Sequence, residues 1–67
     1  MFVAFNDKES SYIYKMSNIV GVQHINDKDF FVMQFNDGTV QEYIYDTPFE
    51  CFNAFTMVRN QLTGEIN

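Results

Sequence analysis

Runs of aromatic and β-branched residues alternate with polar, turn-like segments over residues 1–46. The turn-like segments are rich in Asn, Asp and Gly, residues that favour turns: Asn6-Asp7-Lys8-Glu9, Asn26-Asp27-Lys28-Asp29 and Asn36-Asp37-Gly38. The apolar runs predict β-strands over residues 2–5, 12–16, 18–25, 30–35 and 39–45. The second and third runs either remain separate strands or join through Ser17-Asn18.

A β-hairpin is predicted around Asp37 and Gly38, because this dipeptide suits a two-residue type I′ turn, which fixes the register of both flanking strands. On one face, this register pairs Phe35 with Val40, Met33 with Glu42 and Phe31 with Ile44. On the other face, it pairs Gln34 with Gln41, Val32 with Tyr43 and Phe30 with Tyr45. Both faces are therefore largely apolar at the open end of the hairpin, and one helix can cover only one of them.

A helix is predicted from Thr47 to about Leu62, with Thr47 as N-cap, Pro48 at the first helical position and Glu50 completing a capping box. Gly64 can end it in a left-handed conformation. One stripe of the helix should pack on the sheet: Cys51, Phe52, Phe55, Val58 and Leu62. Two apolar residues fall off that stripe and are either exposed or buried by a second subunit: Phe49 and Met57.

The predicted fold class is α+β, a small antiparallel β-sheet or half-barrel of four to five strands followed by one C-terminal α-helix. Residues 1–67 form a single domain in this interpretation. A domain of this size is marginally stable, and its single cysteine cannot form an internal disulfide. Eight Phe and four Tyr exceed what so small a core needs. Both observations favour a homo-oligomer that buries the surplus aromatic surface.

The charge limits the possible partners. Nine acidic residues against four basic ones give a net charge of −5, which disfavours long nucleic acids, since those are held by neutralising many phosphates. A small nucleotide remains possible, because stacking aromatics and a few basic groups suffice for it. The apolar N-terminal stretch 1–5 is too short for a signal peptide or a membrane span. We therefore expect a cytoplasmic protein without membrane contact.

Catalytic and metal chemistry find little support in the sequence. His24 and Cys51 are the only histidine and cysteine, and no third residue is recognisable that would orient a Cys/His pair. Asp27 and Asp29 lack the further oxygen ligands of a calcium loop. We expect no catalytic residues, no metal and no cofactor.

The aromatic second face of the hairpin, formed by Phe30, Tyr43 and Tyr45, is the most informative feature. Either residues 2–5 or 12–16 fold over it as a small barrel, or it forms a subunit interface whose rings receive a ligand base. In the second case Lys15 or Arg59 would meet phosphate, although Arg59 near the helix C-terminus can have a purely structural role. The candidate ligand-binding residues are Tyr12, Tyr14, Lys15, Phe30, Tyr43, Tyr45 and Arg59.

Several short segments occur in the same order as in a known small domain: Ser17-Asn18-Ile19, Phe35-Asn36-Asp37-Gly38, Tyr43-Ile44-Tyr45-Asp46-Thr47-Pro48, Phe52, Phe55 and Gly64-Glu65-Ile66-Asn67. Over residues 17–67 this order resembles the KTSC domain, found at the C-terminus of some lysyl-tRNA synthetases. The family usually has Val where this chain has Thr47, and its Tyr pair lies one residue further from the Pro. The resemblance implies a binding module with nucleotide or nucleic-acid contact. A vaguer similarity is to small FlbD-like flagellar proteins.

The leading functional hypothesis is a non-enzymatic, homo-oligomeric protein that sequesters a small nucleotide signal. Domains of this size and composition occur in bacteriophages, so a phage-type immune-evasion sponge acting in the host cytoplasm fits this hypothesis. The alternatives are a protein-interaction module, such as an acidic inhibitor of a host protein or a flagellar accessory protein, and an RNA-contacting KTSC-like module. Four basic residues argue against the RNA reading.

Overall fold

The computed structural model describes residues 1–64 and contains five strands, one short 3-10 turn and one helix. The elements in chain order are β1 (Phe2–Asn6), β2 (Ser11–Lys15), the 3-10 turn Met16–Asn18, β3 (Ile19–His24), β4 (Phe30–Phe35), β5 (Val40–Ile44) and α1 (Pro48–Thr63). The predicted α+β class and the C-terminal helix are confirmed. The 3-10 turn keeps β2 and β3 separate. The Glu65-Ile66-Asn67 part of the KTSC-like pattern lies outside the described residues.

The strands form two antiparallel sheets. Strands β1 and β2 pair as a hairpin, and β3, β4 and β5 form a three-stranded sheet in that order. The Asp7 carboxylate organises the β1–β2 turn, because its Oδ1 accepts hydrogen bonds from the backbone N–H groups of Glu9 and Ser10. The Lys8 N–H donates to the Ile44 carbonyl at 3.1 Å and so connects this turn to β5.

The loop between β4 and β5 has three residues, so the predicted two-residue turn is wrong. The Phe35 N–H donates to the Thr39 carbonyl, and the Gly38 N–H donates back to the Phe35 carbonyl. Gly38 has φ +91°, the left-handed conformation found when a tight turn is followed by a bulge at glycine. The observed pairing is therefore Phe31 with Tyr43, one residue away from the predicted register.

This shift exchanges the two faces of β5, because successive strand residues point to opposite sides. Tyr43 lies on the same face as Phe31, and both are buried. The prediction that Phe30, Tyr43 and Tyr45 share an uncovered face is wrong: Tyr43 is 2% exposed and Tyr45 8%. Phe30 lies on the opposite face and is half-buried.

The core lies between the three-stranded sheet on one side and the β1–β2 hairpin and the helix on the other. Phe5 of β1 lies in its centre, with its ring 4.9 Å from Tyr43 and 5.7 Å from Phe31. Among residues 1–64, the buried apolar residues are Val3, Phe5, Phe31, Met33, Tyr43, Tyr45, Cys51 and Val58. The N-terminal strands therefore cover Tyr43 and Tyr45, as one of the two sequence alternatives expected, but they do not cover Phe30.

The helix begins and ends where the sequence predicts. The Thr47 hydroxyl accepts a hydrogen bond from the Glu50 N–H at 3.1 Å, and Gly64 takes a left-handed conformation with φ +78°. The predicted stripe contacts the core except for Phe52, which is 49% exposed. Phe49 and Met57 are exposed, as expected from their position on the wheel. No helix within residues 1–64 is long and apolar enough to cross a membrane.

Candidate functional site

A cavity of about 340 Å³ lies beside the β4–β5 loop, where β2 approaches the end of the three-stranded sheet. We call it the hairpin cavity. Its lining combines two aromatic rings with amide and hydroxyl groups: Tyr14, Phe35, Asn18, Asn36, Thr39 and Gln41. The size falls in the range of about 300–1,000 Å³ typical of small-ligand sites.

The aromatic wall of the hairpin cavity is formed by Tyr14 and Phe35. Their ring centroids are 5.1 Å apart and the planes meet at 69°, an edge-to-face arrangement that fixes both rings. Tyr14 comes from β2 and Phe35 from the end of β4, so the wall exists only because the two sheets face each other. Both residues are half-buried and retain surface that a flat ligand can contact.

The Tyr14 hydroxyl gives this wall a directed polar group. It accepts a hydrogen bond from the Tyr43 hydroxyl at 2.9 Å. Burial, followed by this hydrogen bond, raises the pKa of Tyr43 far above its usual value, so Tyr43 keeps its proton at neutral pH. Because the Tyr14 oxygen already accepts this hydrogen bond, its own O–H remains available as a donor.

The polar rim of the hairpin cavity is shaped by the loop. The Asn36 N–H donates to the Asn18 carbonyl at 2.9 Å, which fixes the 3-10 turn against the loop. Asp37 also lines the cavity, and hydrogen bonds from the Thr39 hydroxyl and N–H lower the pKa of its carboxyl. The rim is therefore negatively charged at neutral pH. No lysine or arginine within residues 1–64 lines the cavity, so it suits an uncharged heteroaromatic group better than a phosphate.

The structure brings three of the predicted ligand residues together. The Tyr12 ring lies 5.9 Å from Tyr14 and 5.0 Å from Tyr43. The Tyr12 hydroxyl donates to the Asp7 carboxylate at 3.0 Å. Burial and this hydrogen bond raise the pKa of Tyr12. Tyr12 lines a second cavity of about 260 Å³, together with three carboxylates and one amine: Asp7, Glu9, Glu42 and Lys8. The excess of negative charge is unfavourable for phosphate.

The remaining predicted ligand residues do not join this group. Tyr45 stacks on Phe31, and its hydroxyl donates to the Asn6 carbonyl at 2.8 Å, so it serves the core. Lys15 at the end of β2 and Arg59 on α1 are exposed, and neither lines the hairpin cavity. Phe30 lies on the opposite face of the sheet. Of the seven predicted residues, Tyr14 alone lines the hairpin cavity.

His24 and Cys51 have structural environments. Burial raises the pKa of the Cys51 thiol to about 11, so the reactive thiolate is scarce at neutral pH. His24 Nε2 lies 3.0 Å from the Lys28 carbonyl oxygen. Since a carbonyl only accepts, Nε2 carries the proton. Within residues 1–64, no three His, Cys, Asp or Glu side chains cluster in a way that could hold a metal ion.

Sequence reasoning missed the polar part of the cavity, namely Asn18, Asn36, Thr39 and Gln41. The signal was present in Gly38, which also suits the last position of a three-residue loop. With that loop, Gln41 pairs with Met33, on the side of the sheet that faces Tyr14.

Comparisons with protein-family models, curated proteins and solved structures give no significant match to this chain. They do not test the resemblance to the KTSC domain or to FlbD-like proteins, which stays a prediction. We therefore infer function from the geometry of the hairpin cavity.

Proposed function

We propose that this protein is a non-enzymatic binder that captures a small nucleotide, with the base held in the hairpin cavity. The observation that carries the proposal is Tyr14, whose hydroxyl accepts a hydrogen bond from Tyr43 and keeps its own O–H as a donor, and whose ring contacts Phe35. A hydrogen-bond donor next to an aromatic wall fits a nucleobase, which has ring-nitrogen and carbonyl acceptors on a flat π-system. Stacking on aromatics contributes about 1–3 kcal/mol per base.

The rim supplies the groups that would recognise the edge of a base. Asn18, Asn36 and Gln41 have amide side chains that both donate and accept, and Thr39 adds a hydroxyl. The carboxylate of Asp37 repels phosphate, so the phosphate must point out of the cavity into solvent. A nucleoside should therefore bind about as tightly as its nucleotide, and affinity should depend little on salt.

Capture without turnover suits a sequestering role in the cytoplasm. A protein that binds a nucleotide stoichiometrically lowers its free concentration by mass action and needs no catalytic group. This is how a phage-type sponge would blunt a nucleotide signal of its host.

The proposal is tested by thermal unfolding with a panel of nucleosides and of linear and cyclic nucleotides. A specific binder raises the melting temperature by linkage, by an amount that grows with ligand concentration. Calorimetric titration then compares Gln41→Ala with the matched control Gln23→Ala, an exposed glutamine on β3 that does not line the cavity. We expect the first variant to lose affinity and the second to bind as the wild type does. A flat melting temperature across the panel overturns the proposal.

A second pair of variants tests the Tyr14 hydroxyl itself. Tyr14→Phe removes the donor but keeps the ring, and Tyr12→Phe removes a hydroxyl that is engaged with Asp7 instead. Weakened binding in the first variant and wild-type binding in the second support the assignment. Equal effects in both would show that the hydroxyl acts only through stability.

A protein-interaction module is the second candidate, and one observation favours it. The face of the three-stranded sheet opposite the core carries the half-buried Phe30 and Val32 and the exposed Val40 and Ile44. Apolar surface of this kind marks contact sites, and the net charge of −5 would steer the protein to a basic partner. This candidate gains support if no nucleotide raises the melting temperature.

A further inference from the structure

Strand β3 is an edge of the three-stranded sheet, and the β4–β5 hydrogen bonds show which β3 backbone groups are unpaired. The Phe35 N–H donates to the Thr39 carbonyl, and the Tyr45 N–H donates to the Asp29 carbonyl at 2.7 Å. Odd-numbered residues of β4 therefore bond to β5. Since hydrogen-bonding direction alternates along a strand, even-numbered residues of β4 bond to β3.

The partners of those even-numbered residues on β3 are Gly21, opposite Gln34, and Gln23, opposite Val32. The remaining two residues of this stretch, Val22 and His24, consequently direct their N–H and C=O groups away from the sheet. Apart from the β-ladders, no turn or loop hydrogen bond within residues 1–64 reaches the backbone of Val22 or His24. The outer edge of β3 is thus a row of unsatisfied donors and acceptors.

The other strand edges are blocked or charged. The outward groups of β1 are bridged at Ala4 by the side-chain amide of Gln61. Strand β5 carries Glu42 and strand β2 carries Lys15 at their edges. Strand β3, with the sequence IVGVQH, contains no acidic residue and no Lys or Arg. For a chain of net charge −5, this is the edge where two copies repel each other least.

Apolar surface lies near this edge. Val20 is 66% exposed and occupies the bulge between Ile19 and Gly21. Ile25 follows the strand and is also exposed. Phe52 of α1 lies against His24, with ring centroids 6.0 Å apart. A strand added at β3 would cover side chains on both faces of the sheet.

We propose that β3 pairs antiparallel with β3 of a second copy of this chain, which joins the two three-stranded sheets into one sheet of six strands. With a two-fold axis at Val22, the Val22 N–H of each copy donates to the Val22 C=O of the other copy. The same register places Val20 opposite His24 of the second copy. The interface is self-complementary, as a two-fold dimer requires, and it brings together no like charges.

Dimerisation through β3 does not depend on nucleotide binding, because no residue of β3 lines the hairpin cavity. We thereby assign the homo-oligomer predicted from the sequence to an edge that sequence reasoning did not consider. A 67-residue domain also gains proportionally more from such burial than a larger one.

Light scattering after size exclusion tests the proposal on the intact chain. The wild type should have twice the monomer mass of 7.9 kDa. Val20→Lys places a charge opposite the second copy, and Val40→Lys is its matched control on the β5 edge, 57% exposed. We expect the first variant to have the monomer mass with a cooperative unfolding transition, and the second to remain a dimer.

Val22→Pro provides an independent variant. It removes the outward N–H without removing a bond to β4, and proline is tolerated on edge strands. A folded, monomeric Val22→Pro protein supports the proposal. Three outcomes would overturn the proposal. The wild type could be a monomer at every concentration, Val20→Lys could remain a dimer of wild-type stability, or Val40→Lys could be the variant that dissociates. A wild-type monomer whose β3 pairs only with another protein's strand would overturn it as well.

Discussion

Gln61 makes the contact through which the helix closes the open edge of β1, and its removal has a calculable cost. Its Oε1 accepts from the Ala4 N–H and its Nε2 donates to the Ala4 carbonyl, both at 2.9 Å. The amide thus replaces the neighbouring strand that Ala4 lacks. Each hydrogen bond contributes about 0.5–1.5 kcal/mol net. Ala4 is exposed, so water can replace part of the loss, and Gln61→Ala should lower the free energy of unfolding by about 1–2 kcal/mol.

Urea denaturation followed by circular dichroism measures this loss. Ala has a higher helix propensity than Gln, so destabilisation cannot come from the helix itself. Gln61→Glu should recover at most half of the loss, because a carboxylate accepts from the Ala4 N–H but cannot donate to the carbonyl. Asn53→Ala, at an exposed position of the same helix, is the matched control and should be nearly neutral. If Gln61→Ala proves as stable as this control, the bridge is not a stabilising contact.

Three further predictions concern the hairpin and the titrating groups. Gly38→Ala should lower the free energy of unfolding, measured by urea denaturation, by about 1 kcal/mol. The cost comes from the backbone conformation, with φ +91°, and not from a clash, because a Cβ at this position meets no atom within 4 Å. An unchanged free energy of unfolding would contradict this. Burial raises the pKa of Tyr43 and Tyr45 above the usual 10.0, so their stabilisation is complete below pH 10.0 and is lost as pH rises above it. Residue-resolved NMR that detects phenolate formation at Tyr43 or Tyr45 in the still folded protein would contradict this. Desolvation alone would raise the pKa of Asp7, but hydrogen bonds from backbone N–H groups lower this pKa below 3.8. The ionised carboxylate therefore stabilises the fold above pH 3.8, and this stabilisation is lost as the pH falls through the lowered pKa. If Asp7→Asn loses stability in acid as steeply as the wild type does, this prediction is refuted.

Local signals predicted the elements correctly because each depends on a few neighbouring residues. Thr47, Pro48 and Glu50 specify where the helix begins, and Gly64 specifies where it ends, whatever the rest of the chain does. The strand boundaries agree to within one or two residues for the same reason. Such predictions need no knowledge of tertiary contacts.

The register failed because Asp37-Gly38 fits two loop lengths. A two-residue turn uses both residues at its centre, whereas the observed loop also includes Asn36 and uses Gly38 at its end. One residue of difference moved Tyr43 from the expected surface into the core. No periodicity within β5 distinguishes the two, since apolar and polar residues occur on both of its faces.

The candidate site was predictable only in part. Tyr14 was a candidate because the aromatic residues outnumber what a small core needs. Its position beside Phe35 and Gln41 arises because β2 approaches the end of β4 and the start of β5, a long-range arrangement. The sequence leaves open which strands cover the tyrosines, and Lys15 and Arg59 were chosen for charge alone, without knowledge of their distance from the rings.

The most direct test of ligand capture is an NMR titration of the labelled wild-type protein with the nucleotide that raises its melting temperature most. The account predicts amide shifts concentrated at Asn36, Thr39 and Gln41, with the same shifts on adding the corresponding nucleoside. Shifts centred on Lys15 or Arg59, or a spectrum that no nucleotide changes, would contradict a base-binding cavity beside Tyr14.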